Sequence, residues 1–253
     1  MRCKDKVVLV TGGSRGIGRA ICLRLAEEGA KVAVNYMGSP DQAAEVVNAI
    51  QAGGGEAIAI KADVGLKIEI DGMVDEALRH FGRIDGLVNN AGICIFSEVL
   101  DITEELWDHT MNVNLKGTFL CSQAVSKRMV SQGSGGSIVS ISSINHFAGG
   151  KLQAHYGVTK SGQVNLMKSF ALGLAPYRIR CNSVLPGTIA TDMNKDYLDV
   201  KENNDYLVNR IPAGRIGDPV DIAHAVVYLI SDESNYVNGT EFLIDGGSLV
   251  NFL

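Results

Sequence analysis

The sequence predicts an α/β fold, a doubly wound parallel sheet between two layers of helices (α/β/α), on three observations. Short apolar runs suited to buried strands alternate with amphipathic stretches at helical spacing. The first such run leads into a glycine-rich turn and then a helix. No linker, repeat or low-complexity tract interrupts the alternation over 253 residues, 46% of them hydrophobic, so one domain spanning 1–253 with one large core is expected.

The elements follow in order. Lys6-Val7-Val8-Leu9-Val10 is apolar at successive positions and suits a strand covered on both faces. Residues 16–28 place Ile17, Ala20, Ile21 and Leu25 at helical spacing. Further strands are expected over 31–36, 56–60, 85–89, 137–141, 180–185 and 241–244, with helices near 41–52, 66–81, 103–132, 155–175 and 219–231. Residues 188–212, rich in Asn, Asp and Lys, break the rhythm and end at Pro212. They are expected to form a lid, because ligands of such sheets sit at the C-terminal ends of the strands.

Between the first strand and helix stands Thr11-Gly12-Gly13-Ser14-Arg15-Gly16-Ile17-Gly18. Glycines 12, 16 and 18 would permit a tight turn, a close approach of backbone to a ligand and close packing of helix on sheet. The helix N-terminus would then favour a diphosphate through its free N–H groups and dipole. A dinucleotide clamp of the Rossmann type is therefore predicted over a turn with three incidental glycines.

A second constellation lies downstream. Tyr156 and Lys160 are four residues apart at the start of a predicted helix, so they share a face. Ser143 closes the preceding strand. A phenol of ordinary pKa about 10 needs a nearby cation to act as an acid/base near neutrality, and Lys160 would supply it. Ser143 could hydrogen-bond the reacting oxygen as it changes between alcohol and carbonyl. Spacing alone proves little, since Tyr197 and Lys201 repeat it; the serine and the glycine string single out Tyr156.

Composition excludes other classes. A net charge of -5 with one Trp and no basic run gives nucleic-acid binding no support. No apolar run approaches the ~20 residues that span a bilayer, and the N-terminal residues lack the apolar core of a signal peptide, so a cytoplasmic protein is expected. Five cysteines without a C-x-x-C pattern indicate neither a disulfide framework nor a metal site. Cys94 is expected to line the pocket rather than act as a nucleophile.

With these motifs in place the chain resembles the short-chain dehydrogenase/reductase family over nearly its whole length. The marks stand in order: Thr11 to Gly18, Asp63-Val64, Asn89-Asn90-Ala91-Gly92, Asn114, Ser143, Tyr156, Lys160, and Pro186-Gly187-Thr188-Ile189-Ala190-Thr191. The resemblance implies that Asp63 and Val64 border the adenine and that Asn90, Ala91 and Gly92 line the cofactor cleft. It implies that Lys160 also reaches the nicotinamide ribose, that Ile189 and Thr191 meet the carboxamide, and that Asn114 helps hold a water relaying protons toward Lys160. It further implies a homotetramer paired through the helices near 103–132 and 155–175, where Val164, Met167, Phe170 and Leu174 would serve the interface or the core.

The end of the second strand bears on the cofactor. An acidic residue there would bind a ribose 2'-hydroxyl and repel a 2'-phosphate; here Asn35 and Tyr36 stand instead, and Arg15 adds positive charge. NADP is expected to be preferred, with NAD possible. Around the catalytic pair, residues 143–156 carry many polar groups, Asn145 and Gln153 among them, which suits a polyhydroxylated substrate. The chain is similar here to the sugar-oxidising members, in particular the L-rhamnose 1-dehydrogenases, although Asn145, His146 and Phe147 depart from their usual S-S-I-S-A-L-V-G-G. Oxidation of an aldose at C1 is the expected reaction. The alternatives are a 3-oxoacyl-thioester reductase, a glucose 1-dehydrogenase, and a regulator that binds NADP without turnover; an intact acid/base pair counts against the last.

Overall fold

Strand β1 (Val7–Val10) lies in the interior of the sheet, and every one of its residues is buried. The computed structural model describes residues 1–251, so the last two residues of the predicted domain lie outside the described residues. In chain order there follow α1 (Gly16–Glu27), β2 (Lys31–Tyr36), α2 (Pro40–Ala52), β3 (Glu56–Lys61), α3 (Lys67–Phe81) and β4 (Gly86–Asn89). Then come α4 (Glu104–Thr110), α5 (Gly117–Gln132), β5 (Gly136–Ile141), α6 (Ala154–Leu174), β6 (Ile179–Pro186), α7 (Lys195–Leu198), α8 (Lys201–Arg210), α9 (Pro219–Ile230) and β7 (Glu241–Ile244). The strands form one sheet in the order β3-β2-β1-β4-β5-β6-β7, all parallel. The chain order reverses between β1 and β4, which opens a crevice above their C-terminal ends.

The two-residue period of the strands divides the core. Val8 and Val10, with Val32, Val34 and Val88, pack with Ile21, Leu25, Val46, Ile222 and Val226 of α1, α2 and α9 on one face. Leu9, Ala33 and Leu87 pack with Met73, Val125 and Met167 of α3, α5 and α6 on the other. Val164 and Met167 are buried in the fold, while Phe170 is partly buried and meets Phe119 edge to face at 6.3 Å between centroids.

One expectation is corrected. The helix predicted over 103–132 is interrupted: a π-helical turn at Met111–Lys116 joins α4 to α5. Such a turn replaces i→i+4 bonds by i→i+5 ones, as from the Gly117 N–H to the Asn112 carbonyl, and the Asn114 carbonyl accepts from the Thr118 hydroxyl at 2.7 Å. The segment predicted as a polar lid contains α7 and α8, neither of which buries a single residue. These helices rest on local pairs such as Lys201 with Asp205, the signature of an element able to move. The second tyrosine–lysine spacing also loses its meaning, because Tyr197 and Lys201 lie on different helices.

Candidate active site

The glycine loop closes on itself at a distance no side chain tolerates. A Cβ on Gly18 would lie 2.1 Å from the Gly12 carbonyl and 2.5 Å from the Asn90 amide nitrogen. Gly12 and Gly16 take φ of 62° and 52°, the left-handed region that favours glycine. Arg15 precedes α1 in extended conformation, exposed, and no side chain caps the helix. The first-turn N–H groups of Gly16, Ile17 and Gly18 therefore face the crevice, with Ser14 buried beneath. An uncapped 12-residue helix behind a side-chain-free turn fits a dinucleotide diphosphate.

Asn35 plays a different part from the one the sequence predicted. Its side chain is 2% exposed and does not face the ribose side of the cleft. Its oxygen accepts from the Gly12 N–H at 3.1 Å, and its amide donates to the carbonyls of Ala62 at 3.0 Å and Ile60 at 3.3 Å. Asn35 thus ties the glycine loop to β3. Tyr36, the next residue on the pleat, points to the opposite face and is half-buried at the strand's end. Thr11 and Asn90 make the matching tie to β4. The Thr11 hydroxyl accepts from the N–H groups of Asn90 and Ala91, and the Asn90 amide donates to the carbonyls of Thr11 and Gly12, at 3.0–3.1 Å. Thr11 was visible in the motif, yet its role as an anchor emerges only when β4 lies beside β1.

Beyond this, Asp63 and Val64 follow β3; Asp63 turns its carboxylate onto the Gly65 N–H at 2.8 Å, and Val64 is buried. Pro186 ends β6, and a Cβ on Gly187 would lie 2.7 Å from Asp245 Cα. Ile189 is buried, and Asn194 ties the Ile189 carbonyl and the Thr191 N–H, both at 3.0 Å. Thr191 faces the glycine loop, 3.4 Å from a Cβ built on Gly16.

Strand β5 delivers Ser143, and α6 delivers Tyr156 and Lys160 one turn apart. The Lys160 ammonium lies 5.3 Å from the centroid of the Tyr156 ring. It is buried, donates to the Ile141 carbonyl at 2.8 Å and to the Gln163 amide oxygen at 3.0 Å, and lies near Gly92. Burial pushes Lys160 down to about 8, opposed by Cys94, so the group still carries its proton at pH 7. Burial also raises the Tyr156 phenol above its ordinary range, Cys94 adding to this and the Ser143 hydrogen bond opposing it. In this state burial outweighs the help that the lysine was expected to give the phenolate.

Asn114 sits in the π turn, wholly buried. Its side chain accepts from the Ile93 N–H at 2.8 Å and donates to the Ile93 carbonyl at 2.9 Å and to Thr159 at 3.2 Å, fixing the loop after β4. Its main-chain carbonyl accepts from the amide of Gln163 at 2.8 Å. Gln163 was not foreseen; the one signal was a glutamine on a helix face otherwise shared with Val164 and Met167.

The four predicted pocket residues form one connected group. The Asn145 N–H donates to the Ser143 hydroxyl at 3.1 Å, the Asn145 amide to the Gln153 oxygen at 2.9 Å, and the Gln153 amide to the Cys94 sulfur at 3.2 Å. Burial raises the Cys94 thiol, so it stands here as a neutral acceptor. His155, part of the same polar stretch, is wholly buried and bonds none of these groups. Among the described residues no group of three or more His, Cys, Asp or Glu is placed to hold a metal, and no helix is long and apolar enough to cross a membrane.

Comparison with known proteins agrees with this geometry. The family described as enoyl-(acyl carrier protein) reductase matches residues 12–248. An L-rhamnose 1-dehydrogenase (NAD(P)(+)) of Azotobacter vinelandii is 46% identical over 98% of this chain and 98% of its own. A 3-oxoacyl-[acyl-carrier-protein] reductase of Staphylococcus epidermidis is 43% identical over 96% of this chain and 98% of its own. Among solved structures, a short-chain type dehydrogenase/reductase from Mycobacterium marinum superposes with a TM-score of 0.92 at 36% identity, covering 97% of this chain and 96% of that one. With the glycine loop, the reversed strand order and the serine, tyrosine and lysine on one crevice, the chain belongs to the short-chain dehydrogenase/reductase family of nicotinamide-dependent oxidoreductases acting on CH–OH groups.

Proposed function

We propose that the protein oxidises C1 of an L-rhamnose-like aldopyranose to the lactone. The observation that carries this is the bonded group Ser143–Asn145–Gln153–Cys94 beside Tyr156, polar along its length. Asn145 and Gln153 bond each other yet keep further donors and acceptors for ring hydroxyls. Similarity to the Azotobacter L-rhamnose 1-dehydrogenase supports the same reading.

NAD(P)+ supplies the hydride acceptor when bound. The chain's part is positioning and proton management. Gly16, Ile17 and Gly18 would hold the diphosphate on their N–H groups, with Gly12, Ser14, Asn90, Ala91 and Gly92 shaping the cleft. Asp63 and Val64 would border the adenine, and Pro186, Gly187, Ile189 and Thr191 would wall the nicotinamide side. The C1 hydroxyl gives its proton to the Tyr156 oxygen as its C–H electron pair departs, leaving the C1 carbonyl of the lactone. Ser143 hydrogen-bonds that oxygen throughout, and the Lys160 charge favours the phenolate that receives the proton. Because burial raises the phenol, sugar oxidation should speed up toward alkaline pH.

Preference for NADP over NAD follows from Arg15 exposed at the loop and from Tyr36, not a carboxylate, at the end of β2. A homotetramer paired through α5 and α6 is part of the proposal, supported by Phe119 standing 38% exposed over a groove lined by Leu115, Gly162 and Leu166. Light scattering gives the subunit count. A reducing cytoplasm suits its five unpaired thiols.

An acyl-thioester reductase is the second reading, favoured by the staphylococcal relative. A spectrophotometric panel of L-rhamnose, L-lyxose, L-mannose and D-glucose with each cofactor, and an acetoacetyl thioester in reverse, decides between them. Activity on L-rhamnose above D-glucose supports the proposal. Thioester reduction with silence on every sugar overturns it.

A further inference from the structure

The amide of Gln163 joins the Lys160 ammonium to the π turn that carries Asn114. It lies three residues beyond Lys160 on α6, on the same face and wholly buried. Its oxygen accepts from the Lys160 ammonium at 3.0 Å, and its nitrogen donates to the Asn114 carbonyl and the Thr118 hydroxyl, both at 2.8 Å. Both amide hydrogens are thereby committed. The bridge from the Asn114 carbonyl to the ammonium is made by a side chain fixed at both ends.

We propose that Gln163 is a positioning residue for the acid/base pair, its amide clamping the Lys160 ammonium to the π turn. Held by hydrogen bonds at both ends, the amide makes this side of Lys160 a rigid support. Lys160 keeps its charge in a dry site through two acceptors, the Ile141 carbonyl from β5 and Gln163 from its own helix. The titratable groups facing it are Cys94, from the loop after β4, and Tyr156; the π turn presents only amide groups. With so few supports, removing one is felt directly.

The inference rests on Tyr156 and Lys160 being the working pair, but its test needs no substrate. Lysine carrying 13C at Cε is followed by NMR against pH, with the Lys160 resonance identified by its loss in Lys160→Met. Starting from about 8, Gln163→Met, which fills the same space without the acceptor, should lower the Lys160 midpoint by about one pH unit. Gln163→Glu, which places a carboxylate on the ammonium, should raise it by at least as much. Val164→Ala, a packing loss one residue along, should leave it in place. Opposite movements in the two Gln163 variants are what a merely structural glutamine would not produce. A midpoint within about 0.2 of the parent in either folded variant overturns the proposal, and if one fails to fold the other decides. Should Tyr156→Phe instead retain full turnover, the acid/base reading fails on its own, whatever the titration shows.

Discussion

Replacing Asn35 by Asp separates two accounts of the end of β2. If the side chain faced the adenosine ribose, a carboxylate would bind the 2'-hydroxyl of NAD and repel the 2'-phosphate of NADP. The structure instead buries it between Gly12, Ile60 and Ala62. Aspartate keeps the acceptor for the Gly12 N–H but turns an oxygen toward two carbonyls that had received hydrogen bonds. Each buried carbonyl left without its donor costs ~1–3 kcal/mol, so Asn35→Asp should lose ~2–6 kcal/mol, before any charge on the new group is counted. That is a large part of the ~5–15 kcal/mol that holds a typical domain together. Urea unfolding at pH 7 measures it, and the loss should shrink at acid pH as the new carboxyl takes up a proton. The ratio of kcat/KM for NADP and NAD, taken on the folded fraction, should barely move. Tyr36→Asp should shift that ratio toward NAD with little loss of stability. A stable Asn35→Asp protein that switches to NAD would refute this placement of the side chain.

The remaining predictions concern the catalytic face. Tyr156→Phe should retain cofactor binding by fluorescence titration while losing at least ~100-fold in turnover, the scale of a removed general acid/base. Lys160→Met should abolish turnover and flatten the pH dependence of stability: burial pushes the lysine down to about 8 from an ordinary 10.5, so between those values the unfolded chain holds a proton that the native one lacks and stability rises with pH. The variant sheds that penalty of up to ~3 kcal/mol but leaves the Ile141 carbonyl and the Gln163 oxygen without their donor at ~1–3 kcal/mol each, so no net gain is expected at pH 7 and the loss of the rise in a denaturation series is what checks it. Gly18→Ala should express poorly or fail to bind either cofactor in a thermal-shift assay, because its methyl would overlap the Gly12 carbonyl. Gln153→Leu should cut kcat/KM for the sugar by about tenfold while sparing a simple apolar carbonyl compound, since a buried sugar hydroxyl deprived of its amide partner costs about 1–3 kcal/mol.

What the sequence made legible divides along physical lines. Strands such as Val7–Val10 announce themselves by a short unbroken apolar run, because both faces are buried, and helices such as α3 by apolar residues at helical intervals, Ile70, Met73, Val74 and Ala77. The glycine loop was legible for a related reason: steric exclusion at Gly18 leaves a single residue type, so the requirement appears in the sequence itself. Tyr156 and Lys160 were legible because one helical turn brings them together without help from any other element.

The direction of a polar side chain was not legible in the same way, since it depends on partners from distant strands. Asn35 reads as a cleft residue until β3 arrives at its side and offers two carbonyls; only the paired sheet decides that its amide turns inward. Asn114 reads as part of a long regular helix until the loop at Ile93 claims its side chain. Gln163 has a reason to exist on an apolar face, because its one amide serves both the Asn114 carbonyl and the buried Lys160 ammonium. The polar residues that sequence reading misplaced are therefore those whose hydrogen bonds close across elements, and they are the ones that hold the glycine loop and the lysine where the chemistry requires them.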